Sequence, residues 1–268
     1  MRRIVLAAAV LALTGTAQAA DMPLKAAPIA APASWTGWYI GVNGGGAWGS
    51  VSPKVTNVGP DTFFAAVNVP VVTGNGSQHF HTSGALAGGQ IGYLFQAGRA
   101  IIGFEVAGDW TDVKGSVSNG PTTYPSSVPT ANFSWNLSGK SDWLVTVLGR
   151  IGLDMGSWYP YVTGGAAFSH LVYTANFVDT YYPSNVTNRF GRDAVGLAIG
   201  AGAEVRLGQS WMLRGEYLHI EFDKISGNGV IACTAGVGLC GTPANATTFS
   251  FNAKFREDLG RVALSYRF

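Results

Sequence analysis

Glu105 and Asp109 lie four residues apart, and Arg214 lies two residues from Glu216. In an extended strand such spacings put both members on one face. Two carboxylates on a face are raw material for acid–base chemistry. Here they share that face with arginines, which reads instead as a structural charge network. The candidate set is Glu105, Arg150, Glu204, Arg206, Arg214, Glu216, Arg261 and Arg267. Glu105 is expected to pair with Arg150 and Glu204 with Arg214. His81 stands two residues before Ser83, but nothing nearby supplies the third group that orients a catalytic histidine. His79 and His81 have alternate spacing that suits a metal or haem, yet two ligands define no site. The glycines of 41–46 lie inside a strand pattern and open no helix. Gly139-Lys140-Ser141 ends like a phosphate loop, but Ser134 stands where the first glycine belongs, and a strand follows. The chain is therefore read as a non-enzyme with no cofactor and no metal.

Such a network needs a frame. The chain opens with Arg2 and Arg3, an apolar run from Ile4 to Leu13, and Ala17-Gln18-Ala19. This is the form of a cleaved secretory signal over residues 1–19. Residues 20–34 are rich in Ala and Pro and read as a periplasmic tail; 35–268 form the barrel. Only 12% of the chain is charged, while glycine occurs 37 times. Without Arg2 and Arg3, 15 basic residues face 15 acidic ones, so nucleic acid finds no electrostatic partner. No window is apolar for long enough to be a spanning helix. A membrane form of this chain must then be a closed barrel, because lipid tolerates no unpaired backbone groups.

From Trp38 the dominant period is two. Trp38, Ile40 and Val42 oppose Tyr39, Gly41 and Asn43. Similar runs centre on Ile91, Phe104, Val147, Val162, Ile199, Gly215 and Leu264. They predict an all-β, eight-stranded antiparallel transmembrane barrel of about ten residues per strand. Long polar connectors near 50–82, 113–140, 175–191 and 223–248 alternate with short ones near 96–99, 154–157 and 208–210. That asymmetry suits long external loops and short periplasmic turns. One place breaks the pattern. Phe249, Phe251, Ala253 and Phe255 alternate on odd numbers, whereas Val262, Leu264, Tyr266 and Phe268 alternate on even ones. A hairpin arm above the membrane or a bulge near 257–260 would account for it. Cys233 and Cys240 are close together, and export permits a disulfide; two free thiols are the alternative.

A soluble carrier barrel would turn its apolar face inward. The polar face here is rich in glycine and carries charges of both signs, as a narrow lumen requires. Trp and Tyr also gather near strand ends, as in interfacial girdles. The greasy face is therefore expected to look outward.

The segment Trp35-Thr36-Gly37-Trp38-Tyr39-Ile40-Gly41-Val42-Asn43-Gly44-Gly45 resembles the first strand of small outer-membrane barrel proteins of alphaproteobacteria, the porin-family group that includes the rhizobial RopB protein and the brucella major surface antigens. Gly89-Gln90-Ile91-Gly92-Tyr93, Tyr161-Val162-Thr163-Gly164-Gly165 and Gly215-Glu216-Tyr217-Leu218 are similar to later strands of that group. The resemblance implies an outer-membrane protein of a Gram-negative bacterium, among outer-membrane lipid and lipopolysaccharide. It also implies that Val262, Leu264, Tyr266 and Phe268 form the signal read by the barrel-insertion machinery. The expected function is a structural surface barrel with a lumen plugged by Arg/Glu pairs. The alternatives are a narrow pore for ions or small polar solutes, or surface or haem binding by the loops.

Overall fold

The computed structural model describes residues 34–56, 58, 63–126, 131–237, 240 and 245–268. The expected signal segment and all of the tail but Ser34 lie outside them. Nine strands and one helix follow in chain order. They are β1 (Gly37–Thr56), α1 (Val69–Gly76), β2 (Phe80–Ala97), β3 (Ala100–Thr123), β4 (Asn132–Leu153), β5 (Trp158–Asp179), β6 (Ser184–Arg206), β7 (Trp211–Phe222), β8 (Ile225–Ala232) and β9 (Ala246–Arg267). Each strand pairs antiparallel with its neighbour, and β9 returns to pair with β1, which closes the ring. β7 and β8 both pair with the same edge of β9, β7 along Arg256–Tyr266 and β8 along Ala246–Ala253. The ring thus has eight positions, and its seventh stave is broken at Asp223-Lys224. Across that break β6 and β8 share no ladder among the described pairings. The Asn188 side chain bridges them instead, with both its oxygen and nitrogen on the Val230 backbone, at 3.1 and 2.9 Å.

The long strands run about twice the expected ten residues. Much of the polar sequence assigned to external connectors is strand: 113–123, 132–140 and 184–191 belong to β3, β4 and β6. Alternation was present there, as Phe133, Trp135 and Leu137 against Ser134, Asn136 and Ser138, but with its faces exchanged. On β9 the odd residues point inward from Thr247 to Ser265 without a break. The ladder to β1 is also continuous, from Thr56↔Ser250 to Tyr39↔Arg267. No bulge separates the two halves. What changes is the surroundings. Between the Trp38 and Trp48 levels, ten residues of tilted strand rise about 25 Å, the height of a hydrocarbon band. In this band the exposed residues are apolar: Val42 is 64% exposed and Leu197 64%. Trp38, Trp158, Trp211 and Tyr266 rim one edge of it, and Trp48 and Trp110 the other. Beyond the second rim the outward residues turn polar and the inward ones apolar, because water now surrounds the wall.

Phe80, Trp135, Tyr173, Phe177, Phe249, Phe251 and Phe255 fill the inside of this outer extension as a packed core. α1 closes its mouth. Its sequence, Val-Pro-Val-Val-Thr-Gly-Asn-Gly, is a poor helix former. It is held by packing: Val72 is buried, and its carbonyl accepts from Trp135 Nε1 at 3.1 Å. At the opposite end the turns are tight, and Gly98 (φ +62°) and Gly208 (φ +113°) take conformations closed to most side chains.

Trp135 is fully buried and Trp110 is 80% exposed. Trp135→Ala should therefore destabilise the refolded protein by about 3–5 kcal/mol, whereas Trp110→Ala should cost far less. Urea unfolding in lipid vesicles, followed by tryptophan fluorescence, measures both.

Candidate functional site

The charged residues meet halfway along the lumen. Glu105 on β3 is its centre. It accepts from Arg150 Nη2 on β4 at 2.5 Å, from Arg214 on β7 through both guanidinium nitrogens, and from Arg261 Nη2 on β9 at 3.2 Å. Tyr39 on β1 donates its hydroxyl to the same carboxylate at 2.7 Å. Arg261 also reaches Glu216 (Nε to Oε1 2.7 Å) and Asp109 (3.5 Å). Arg150 extends to Glu204 on β6 at 3.3 Å. Tyr159 and Tyr161 on β5 donate to Glu204 and Glu216 at 3.1 and 2.6 Å. On β2, Gln90 accepts from Asn43 at 2.9 Å and donates to Ser265 at 3.1 Å. Every ring position thus sends a polar side chain into this layer. Four carboxylates face three guanidiniums, a net charge of −1 on groups that are all at most 5% exposed.

Glycines on the wall give the tyrosines room. A Cβ on Gly92 would lie 2.3 Å from the Tyr39 hydroxyl, and one on Gly202 would lie 2.5 Å from that of Tyr161. Both glycines are cross-strand partners of the tyrosine that covers them.

The sequence-derived set divides. Glu105, Arg150, Glu204, Arg214, Glu216 and Arg261 come together, and Asp109 joins them. Glu204 and Arg214 are neighbours in register, as their spacing suggests. Their closest ionic contacts, however, go elsewhere, to Arg150 and Glu105. Arg206 and Arg267 lie at the short-turn end. The Arg206 guanidinium sits 3.8 Å from the Trp35 ring centre, and Arg267 donates to the carbonyls of Ser34 and Gln209. Val262, Leu264, Tyr266 and Phe268 all face outward, and the Tyr266 ring stacks edge-on with those of Trp211 and Phe268. Cys233 and Cys240 are joined by a disulfide, with Cα atoms 6.0 Å apart. His81 points outward, its ring 4.9 Å from that of His79, whose Nδ1 lies 3.1 Å from the Ser52 hydroxyl.

Trp35 is the key residue that sequence reasoning missed. It precedes β1, outside the period-two run that drew attention. It is fully buried beneath the charge layer, with Tyr39, Leu94, Ile101, Tyr159, Tyr161 and Met212. Its Nε1 donates to Asp154 at 2.9 Å, its backbone N–H donates to Gln96 at 2.8 Å, and Gln96 donates to Asp154 at 2.8 Å. Asp154 lies in the β4–β5 turn. Slight burial pushes its carboxyl up, but the bonds from Trp35, Gly156 and Gln96 outweigh it and hold the carboxyl below its ordinary value. This contribution is present above the unfolded aspartate pKa of about 3.9 and disappears as pH falls through the lower folded value.

Acid should accordingly loosen Trp35 before the barrel unfolds. A fluorescence change below about pH 4 that is absent in Trp35→Phe would report it. Glu105→Ala leaves the Arg214 guanidinium without its ionic partner and takes one partner from Arg150 and from Arg261, which keep Glu204 and Glu216, and should cost about 3–5 kcal/mol. Vesicle unfolding curves check that loss, and a change under 1 kcal/mol would contradict the central place given to Glu105.

A family model described as outer membrane protein beta-barrel domain matches residues 5–256. The 31 kDa outer-membrane immunogenic proteins of Brucella melitensis and Brucella suis are each 29% identical to this chain over 231 residues, 84% of this chain and 88% of theirs. Among solved structures, Neisserial surface protein A is 10% identical with a TM-score of 0.35, covering 87% of this chain and 98% of its own. The outer membrane protease OmpT of Escherichia coli is 9% identical with a TM-score of 0.36, covering 87% and 97%.

Proposed function

This chain belongs to the outer membrane protein β-barrel family, and we propose that it serves there as a structural, surface-exposed barrel whose lumen is closed to bulk flow. It resides in the outer membrane. The observation that carries the proposal is the succession of three filled layers along the lumen. Trp35 and its neighbours form a floor, the Glu105 network fills the middle, and the aromatic core with α1 fills the outer third. An eight-stranded wall leaves space for side chains and little else. The guanidiniums and carboxylates span it, and Glu105, Glu204, Glu216, Arg150 and Arg261 are each held from more than one other strand.

The apolar belt and its two aromatic rims anchor the wall in lipid and lipopolysaccharide. The tight turns then face the periplasm and the disulfide-clipped loop the exterior. The outward row Val262, Leu264, Tyr266 and Phe268 is what the insertion machinery would read during assembly. By likeness to the Brucella immunogenic proteins, the outer extension is what antibodies would meet on the cell.

Planar-bilayer recording of the refolded protein tests the closed lumen. The expected trace is flat or shows only small, brief events. Large steady steps would sink the proposal. Small currents whose ion selectivity shifts in Arg150→Ala would favour a narrow pore instead.

A further inference from the structure

At the outer tip three connections meet around a cavity of about 310 Å³. Phe63 and Phe64 come from the β1–β2 connection, Tyr124 from the β3–β4 turn, and Tyr181 and Tyr182 from the β5–β6 turn. Their rings pack in sequence, Phe64 to Phe63 at 4.8 Å, Phe63 to Tyr182 at 5.0 Å and Tyr182 to Tyr181 at 4.9 Å. Phe63, Phe64 and Tyr124 are buried, while Tyr181 and Tyr182 are half-exposed. The cup is braced from behind: Asn68 donates to the Ser126 hydroxyl and accepts from its backbone N–H, both at 3.0 Å.

Among the described residues one carboxylate, Asp179, lines this cup. Asp179 is 4% exposed. It accepts from the Tyr124 hydroxyl through Oδ2 and from the Tyr181 backbone N–H at 2.6 Å through Oδ1. The Tyr182 backbone N–H also donates to it, and all three donors are neutral. In the lumen Glu105, Asp109, Glu204 and Glu216 each face at least one arginine, whereas Glu257, turned inward and 3% exposed, has no ion pair among the described residues. No lysine, arginine or histidine is among the described residues that line the cup. A buried carboxylate without a counter-charge is costly, and burial raises this one above its ordinary range although its hydrogen bonds oppose that. Aromatic rings around a single carboxylate form the chemistry that attracts an organic cation, whose diffuse charge suits ring faces and whose alkyl groups suit the apolar wall. Among the described residues no group of three His, Cys, Asp or Glu side chains that could hold a metal ion gathers here.

We propose that this outer cup binds an organic ammonium cation, of the trimethylammonium class, with Asp179 as its counter-charge and the Tyr181 and Tyr182 rings as its walls. The site goes beyond structural anchoring, and it takes from that reading only which end faces outward.

The test is calorimetric titration of choline into the full chain refolded in detergent, beside its uncharged isostere 3,3-dimethyl-1-butanol. Saturable choline binding is expected, with no measurable binding of the alcohol. Asp179→Asn should weaken choline about tenfold, the scale of one partly desolvated charge contact. Tyr182→Leu keeps an apolar side chain but removes a ring, and should weaken it several-fold. Heat-dependent mobility on gels confirms that each variant is folded. If Asp179→Asn does not fold, the comparison of choline with the alcohol and the Tyr182→Leu variant decide the matter. Absent choline binding, equal binding of the alcohol, or affinity unchanged in folded variants would each overturn the proposal. None of these outcomes touches the bilayer experiment, so the site and the closed lumen stand or fall separately.

Discussion

Glu105 brings together three guanidiniums and a phenol from β1, β4, β7 and β9, residues that lie up to 156 positions from it along the chain. Taking those charges from water is expensive, and the expense is offset only when all partners arrive together. That makes the layer a condition on the whole ring. A strand in the wrong register would turn its charged residue toward lipid and leave its partners stranded. The glycines at 92 and 202 belong to the same constraint, since the tyrosines that complete the network lie across them. Buried polar pairs are weak evidence for stability, but here they define which arrangement of eight ring positions is self-consistent.

The wall itself obeys a simpler rule, that each face matches what it touches. Lipid outside and a charged lumen inside give one alternation; water outside and an aromatic core inside give its inverse. On β9 both are written on one strand without a register shift, whereas β3 and β4 pass from one to the other through the shifts at Trp110/Val113 and Ser141/Leu144. β9 shows this best, with Phe251 and Arg261 on one face and Lys254 and Val262 on the other.

Much of this was legible in the sequence. The period of two, the alternating lengths of the connectors and the signed charges on the glycine-rich face led to the closed antiparallel ring, and six of the eight proposed lumen charges do meet. The misreadings share a cause. An exchange of faces on β9 looks like a slip of register when only apolarity is followed, because hydrophobicity reports the environment and the backbone phase independently. Polar residues such as Ser134 and Asn136 looked like loop for the same reason. Trp35 was invisible because its role depends on closure of the ring, which brings Gln96, Asp154 and Arg206 around it from three different turns. Arg206 and Arg267 have the right parity for the lumen but stand too close to the turns to reach its middle. α1 has almost no local signal, since its residues are helical only because a mouth of that shape must be filled.

The split seventh stave has one more consequence. A closed ring is as sound as its least-bonded seam, and between β6 and β8 the usual run of main-chain bonds is replaced by one asparagine amide. Thermal breathing of the outer extension should concentrate along that line. The rest of the circumference, laced by ladders with register shifts only on β3–β4 and β4–β5, would move as a stiffer hoop. Sequence drift in this region would then be tolerated on the strand faces sooner than at Asn188, which with the Thr234 N–H to Pro183 carbonyl bond holds the seam among the described residues.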